Sequence, residues 1–472
     1  MSHVAPSANA GLNVPRRSSS RYALYVFWVM FSINFLNYLD RYVLSGAAKV
    51  IAQELGFGLD GIGYIASAFL IVYTLGTLPL GLWADRVKRK NVVAACVAVW
   101  SLTTAFTALA FNFTTLFLSR MVLGIGEAGY FPAGTALISD YFNREKRSRI
   151  MSWWNCGQLF GILVGFVVGG ALAGLYPGSW RLAFIFTGIP GLLLALLAWR
   201  LREPRRNQAD EEALELDPNS LGNAPEIEEP PHTISVSSNV LSQCKMLLGI
   251  RTLVVLIAMQ SFAFFVLGVN TVFLPTYLQQ KDTFALSSAQ AGLFAGAVIV
   301  LAGMAGTVIG GYMADLLNRR HPGARVLVCG IGFLLGAPAF AVAVTFHSLT
   351  IFSIFFVITT LLLSIYTGPS TAATQDVVPS ALRASSVAVS LLIAHLLGDA
   401  FSPSIVGFLA TIFDPTHGQH AAQSIAGQDL SLALLITCTP ALAIAGLIGI
   451  FGARWMKGDV EAAELADKLA RG

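Results

Sequence analysis

The 472-residue sequence is poor in charge: Asp, Glu, Lys and Arg make up only 12% of it, while hydrophobic residues make up 55%. A soluble protein carries about 25% charged residues, so a soluble globule is excluded. Cysteine is scarce too. The five present (Cys96, Cys156, Cys244, Cys329 and Cys438) are far apart in sequence and form no C-x-x-C pair, which argues against a disulfide framework or a metal site. No G-x-S-x-G, H-E-x-x-H or G-x-x-x-x-G-K-[ST] pattern occurs, so neither hydrolytic chemistry nor direct use of ATP has support. The net charge of +4 is scattered through short segments and leaves no nucleic-acid footprint.

What the sequence has in abundance is long apolar runs. Twelve reach the ~20 residues that a helix needs to cross ~30 Å of hydrocarbon. They lie near 22–46, 60–84, 91–111, 114–138, 149–174, 181–201, 250–275, 286–314, 325–346, 349–375, 384–411 and 430–454. The fold class expected is therefore an all-α, polytopic membrane protein. Twelve spans put both termini on one side. The tails and even-numbered loops hold 25 of the 30 Lys and Arg residues, whereas the odd-numbered loops hold only Lys49, Arg181 and Lys281. The excess of positive loops marks the cytoplasmic side, so both termini are expected in the cytoplasm of a cell with this chain in its plasma (inner) membrane.

One connection breaks the rhythm of short loops. Between 203 and 245 the composition turns acidic and proline-rich (Asp210, Glu211, Glu212, Pro218, Glu228, Glu229, Pro230), as in a solvated linker. The expected organisation is a tail at 1–21, a six-helix bundle at 22–202, the linker at 203–245, a second bundle at 246–454 and a tail at 455–472. The two bundles share a repeat. The pattern G-x-x-x-D-x-x-x-R runs through Gly81, Asp85 and Arg89, with Arg86 beside it, and again through Gly311, Asp315 and Arg319. Asp140 with Arg147, and Asp376 with Arg383, form a second repeated pair. Glycine permits close helix approach, and the charges can bind helix ends in one state and release them in another. All eleven residues are thus expected to serve gating. These elements, the run from Arg120 to Gly126 and the six-plus-six layout resemble the major facilitator superfamily. The resemblance implies an alternating-access transporter, in which two bundles rock about a central site.

Ionisable groups at membrane depth are functional candidates by default. Arg120 and Glu127 fall on one face of the fourth span; Asn37, Tyr38, Asp40 and Arg41 cluster in the first; His395 and Asp399 sit one turn apart in the eleventh. Burial favours a protonated carboxylate and a nearby arginine favours a charged one, so rocking helices can exchange the two influences. Asp40 and Glu127 are therefore expected to couple protons, with Arg120 receiving an anionic headgroup. The proton gradient, not a cofactor, is the energy source expected. The runs Asn37 to Arg41, Arg120 with Gly124 to Ala128, and His395 to Pro403 resemble the Spinster family within the superfamily. That resemblance implies a carrier of amphipathic anions such as lysophospholipids or sphingoid phosphates. Tyr130 to Pro132 and Asn155 to Gln158 look more like the branch that moves sugar acids with protons. Arg120, Arg41, Asn37, Tyr38, Tyr130, Gln158, His395 and Asp399 are the substrate-binding residues expected. The partners expected are a small-molecule or lysolipid substrate, protons and the bilayer, with the carrier acting as a monomer.

Overall fold

A computed structural model describes residues 20–205, 208–209, 240–321, 323–414 and 426–469, without the side chains of residues 20, 85, 144, 145, 148, 240–242, 381, 384 and 426–428. The acidic linker therefore lies outside the described residues except at its ends, as do the N-terminal Arg16 and Arg17. The described chain is helical, and twelve helices are long and apolar enough to cross a membrane. They are Arg21–Leu55 (span 1), Leu59–Ala84 (2), Arg89–Thr107 (3), Phe113–Tyr141 (4), Arg149–Ala173 (5), Trp180–Arg200 (6), Arg251–Gln279 (7), Ser288–Asn318 (8), Ala324–Thr345 (9), Leu349–Asp376 (10), Ser385–Phe413 (11) and Asp429–Leu469 (12). Their exposed faces are apolar: Trp28, Leu78, Phe186, Leu193, Tyr312 and Phe451 are all more than half exposed or nearly so, as lipid contact requires.

Backbone polar groups satisfied within each helix leave side-chain packing to join the helices, and small residues then decide how close they come. Span 5 carries Gly157, Gly161, Gly165 and Gly169 at every fourth position. A Cβ on these would press on the carbonyls of Phe31, Phe35, Leu39 and Val43 in turn, so span 1 lies directly along the stripe. That seating fixes which face of span 1 looks into the molecule. Near its outer end Ser179, Trp180 and Arg181 tie span 6 to Glu54 and Leu172.

The repeat read from the sequence appears as matched ion pairs, with one correction. Arg89 at the start of span 3 binds Asp140 at the end of span 4, and Arg325 at the start of span 9 binds Asp376 at the end of span 10. Both members of the second pair lie 236 positions after those of the first. Arg147 donates to the Ser139 carbonyl (2.9 Å) and Arg383 to the Gln375 carbonyl (3.1 Å), again 236 positions apart. Arg319, expected to match Arg89, is instead exposed and carries no ion pair among the described residues. The loop before span 9 is longer than that before span 3, so the helix-starting arginine arrives six positions late. Arg325 also reaches Asp315 (3.4 Å). A Cβ on Gly81 would meet only Pro132 of its own half (3.6 Å) and one on Gly311 would meet nothing within 4 Å, although the Gly311 Cα itself lies against Gly368 of span 10; neither glycine's Cβ direction is turned on the opposite half in this state. Arg325→Ala is accordingly expected to lower the thermal midpoint by several degrees and slow transport, while Arg319→Ala leaves both near wild type; thermal unfolding of the two variants checks it.

Several spans are discontinuous. Span 4 breaks at Gly129 between helices Phe113–Ala128 and Tyr130–Tyr141, and span 10 breaks after Ser364, the equivalent place. Span 8 holds a π-helical turn at Val298–Ala302. Span 11 is broken between Leu397 and Ser402. Span 12 bends through Ala453–Trp455 into helix Met456–Leu469, whose Asp459 accepts from the Thr252 amide (2.7 Å) and whose Asp467 accepts from the Ser380 amide (2.9 Å). The tail thus lies across the ends of spans 7 and 11.

The halves meet at the end far from the linker. Span 5 touches span 8 where Gly170 faces the Ser288 carbonyl and Gly292 the Phe166 carbonyl; span 2 touches span 11 where Gly63 faces the Pro403 carbonyl and Gly407 the Leu59 carbonyl. Three hydrogen bonds that join the halves, Lys49 to the Gln279 carbonyl, the Ser404 amide to Ser67 Oγ (3.2 Å) and Ser404 Oγ to the Gly63 carbonyl (3.4 Å), lie at that same end. The gate ion pairs at the linker end, Arg89 with Asp140 and Arg325 with Asp376, each stay within one half. The molecule is closed on the far side and open toward the linker.

Candidate functional site

Between the halves, at the depth of the helix breaks, is a cavity of about 340 Å³. Spans 1, 2, 4 and 5 supply one wall and spans 7 and 11 the other. From the first wall come two cations. Arg41 lies among aromatic rings, with its guanidinium carbon 4.3 Å from the Tyr73 ring centre, 5.1 Å from Tyr38 and 5.3 Å from Phe69. Its Nε donates to Glu127 Oε2 at 2.5 Å. Arg120 stacks over Phe184 at 4.9 Å, and its Nε and Nη2 are buried with no hydrogen-bond acceptor among the described residues. A buried guanidinium with idle donors is costly unless something else fills them.

The opposite wall is anionic. In the break of span 11 His395 Nδ1 lies 3.0 Å from Asp399 Oδ2, and the Phe264 ring of span 7 lies 4.6 Å from the imidazole. Gly268 makes this possible, because a Cβ there would come within 2.7 Å of the Asp399 Cβ. Between the charged groups the cavity is lined by Leu44, Ile65, Leu70, Leu123, Leu267 and Val272. A cavity with cations on one side, a carboxylate on the other and hydrocarbon between can hold an amphiphile with charges of both signs.

Glu127 and Asp40 stand behind this wall. The Glu127 side chain is fully buried and bound by Arg41, which lines the cavity, with the Asn37 amide beside it. Asp40 is buried among Thr104 (3.5 Å) and Thr187, and the charge of Arg120 acts on it. Of the expected substrate contacts, Arg120, Arg41, Tyr38, Gln158, His395 and Asp399 line the cavity, whereas Asn37 does not. Tyr130 is misplaced in the expectation. Its hydroxyl donates to the Met30 carbonyl (3.2 Å) and its ring packs on Trp100 and Trp154, because the break at Gly129 turns the following helix away from the cavity. The side chain that Glu127 meets is Arg41, not Arg120. Tyr42, Ser45, Phe69, Tyr73 and Thr271 also line the cavity and were not singled out from sequence. Tyr38, Tyr42 and Ser45 follow the helical i, i+4, i+7 spacing that betrays a shared face.

Two pseudo-symmetric six-helix bundles, joined at one end and parted at the other around a central charged cavity, define a secondary transporter of the rocking-bundle class. The profile of the Major Facilitator Superfamily matches residues 30–403, and the chain belongs to that family. It is a multi-pass membrane transporter, not an enzyme. Within the superfamily its relation is to the Spinster proteins. It is 26% identical over 413 residues to "Protein spinster" of Drosophila melanogaster, covering 86% of this chain and 66% of that protein, so it spans slightly less than two thirds of that relative. It is 28% identical over 435 residues to the "Probable L-galactonate transporter" of Escherichia coli K12, covering 90% and 92%. To the "Sphingosine-1-phosphate transporter SPNS2" of Xenopus tropicalis it is 26% identical over 451 residues, covering 92% and 82%. Among solved structures, a bacterial homolog to the human lysosomal transporter Spinster, inward-facing and unoccupied, superposes with a TM-score of 0.80 at 25% identity, over 93% of this chain and 99% of that one.

Proposed function

We propose that the chain is a proton-coupled carrier of a single-chain amphiphile bearing an anionic group and an ammonium, of the lysophospholipid or sphingoid phosphate type. The observation that carries this is Arg120, a buried guanidinium that lines the cavity and whose Nε and Nη2 have no acceptor among the described residues, set opposite a wall that holds Asp399. The anion sits at Arg120 and Arg41, the ammonium at Asp399, and the hydrocarbon along the leucine-lined wall. Relatives named for spinster and for sphingosine-1-phosphate transport support the same class. Coupling follows from competition for Arg41. An anion that draws Arg41 away leaves Glu127 buried without its cation, and Glu127 then takes a proton. With the linker and both termini in the cytoplasm, the orientation that the charge bias of the loops favours, the state described is the inward-facing one.

A second reading, symport of a sugar acid, is favoured by the similarity to the galactonate transporter. Binding of lysophosphatidylethanolamine, lysophosphatidic acid and galactonate to purified protein separates them. Arg120→Ala is expected to weaken both lysolipids by ~2–4 kcal/mol, the range for truncating one partner of a buried charge pair, and Arg120→Lys to recover only part of it, since the planar fork is lost. Asp399→Asn is expected to weaken lysophosphatidylethanolamine and spare lysophosphatidic acid, which has no amine. Wild-type protein that binds galactonate and neither lysolipid sinks the amphiphile reading.

A further inference from the structure

Span 1 continues its cavity-facing stripe outward by one more polar residue. Tyr38, Tyr42 and Ser45 line the cavity, and Lys49 follows four residues on, beyond the cavity floor. Its ammonium crosses to the other half and donates to the carbonyl of Gln279, the last residue of span 7. That carbonyl is one of the orphans of a helix C-terminus, the negative end of the helix dipole. The acceptor is held firmly: Gln279 Nε2 donates to the Pro275 carbonyl (2.9 Å) and its Oε1 accepts from Ser288 (2.7 Å). No carboxylate pairs with Lys49 among the described residues, although Arg181, another of the few basic residues at this end, has Glu54. Next to the bond lies Gln280, buried with both side-chain polar atoms unpartnered, as befits a seam whose other arrangement is elsewhere in the cycle.

A cation bound to a neutral carbonyl across a seam is exchangeable. When the far side opens, span 1 and span 7 part, and Lys49 is left facing the path that leads from Arg41. Eight residues of helix separate the two, about 12 Å.

We infer that Lys49 is both the latch of the far-side gate and a second station for the anionic group of the substrate, held by the Gln279 carbonyl while the gate is shut and released to the anion when it opens. This rests on the anionic substrate read above. The latch contributes to closure because a hydrogen bond from a charged group is stronger than a neutral one. The station makes passage of an anion stepwise rather than a jump across apolar helix.

Spin labels on Leu175→Cys and Ala289→Cys, exposed residues flanking the seam on the two halves, read its opening in nanodiscs by double electron-electron resonance. Lys49→Met is expected to raise the far-side-open fraction about tenfold, the scale of losing one charge-assisted hydrogen bond, and Lys49→Arg to restore it. In proteoliposomes, Lys49→Met should raise the KM for lysophosphatidylethanolamine presented at the far side several-fold, with binding at the linker-open cavity unchanged. An unchanged distance distribution overturns the latch, and with it the inference. A shifted distribution with unchanged far-side KM overturns the station. A shifted distribution in a protein whose wild type neither binds nor moves the lipid overturns the substrate reading and the station built on it, while the latch stands.

Discussion

Glu127→Gln is expected to abolish accumulation of substrate against its gradient under an imposed pH difference and to leave counterflow exchange at a rate near wild type. The reason lies in how Glu127 is held. Its carboxylate is wholly buried and is bound directly by the guanidinium of Arg41, at 2.5 Å, with Arg120 acting on it without a direct bond. Removing the partner of a buried charge costs about 3–5 kcal/mol, far more than the pair itself contributes to stability. The protein avoids that cost in only two ways: Arg41 stays, or Glu127 takes a proton. Arg41 lines the cavity, and in the proposed mechanism it is the group an incoming anion meets, so that substrate and proton load together. Glutamine keeps the shape of glutamate and still accepts from Arg41, but it is neutral in every state and carries no proton across. Exchange needs only loaded carriers rocking back and forth, and it survives. The linkage has a sign that can be read in binding. If anion binding is accompanied by proton uptake, wild-type affinity rises as pH falls, whereas the Gln variant binds with a flat profile over the same range. A Gln variant that still concentrates substrate under a pH gradient removes Glu127 from the coupling.

Much of this architecture was legible because the bilayer is a harsh solvent. Length and hydropathy select spanning helices, and the sorting of Lys and Arg into alternate loops follows from the same constraint. The repeated gate residues were visible as spacing. What spacing cannot supply is the rotation of one helix against another. Arg120 and Glu127 share a face of span 4, which suggested that they act together, yet Glu127 is met by Arg41, 86 positions earlier on another span. The glycine stripe of span 5 sets that meeting by fixing the turn of span 1. The helix breaks were illegible for a related reason: Gly129 and Ser364 sit inside long spans, and Gly398, Asp399 and Pro403 after Leu397 do not by themselves distinguish an opened helix from a continuous one. Only tertiary packing shows that span 11 opens at Gly398 and presents His395 and Asp399 to the cavity. The substitution of Arg325 for Arg319 was hidden by a loop of different length, which shifts the register of a repeat without disturbing its geometry.

The glycines of the far-side seams are expected to control which way the carrier faces, and alanine there should all but stop transport while leaving the fold intact. In the linker-open state the backbones of the two halves touch. A Cβ on Gly63, Gly170 or Gly292 would fall well inside van der Waals contact of the carbonyl oxygens of Pro403, Ser288 and Phe166, and one on Gly407 would reach 2.5 Å from that of Leu59. A flexible side chain could yield, but these are backbone atoms within helices. Overpacking of this kind costs about 1–3 kcal/mol per site. Gly63 and Gly170 lie in different seams with no shared partner, so their costs add, and Gly63→Ala with Gly170→Ala should shift the equilibrium away from the linker-open state by roughly 30-fold or more. The penalty exists only while the seams are shut, because in the opposite state those surfaces part. Stability of each bundle rests on contacts within it, such as the span 1 to span 5 stripe from Gly157 to Gly169, whose glycines these changes leave in place. The thermal midpoint should therefore hold while the distance between labels on Leu175→Cys and Ala289→Cys lengthens and transport falls to near background. Gly458→Ala, in the tail helix with nothing within 4 Å, is the control and should behave as wild type. Alanine at Gly63 and Gly170 that leaves the label distance unchanged would mean that the seams do not limit closure, and that the far side is held by Lys49 and the neighbouring hydrogen bonds instead.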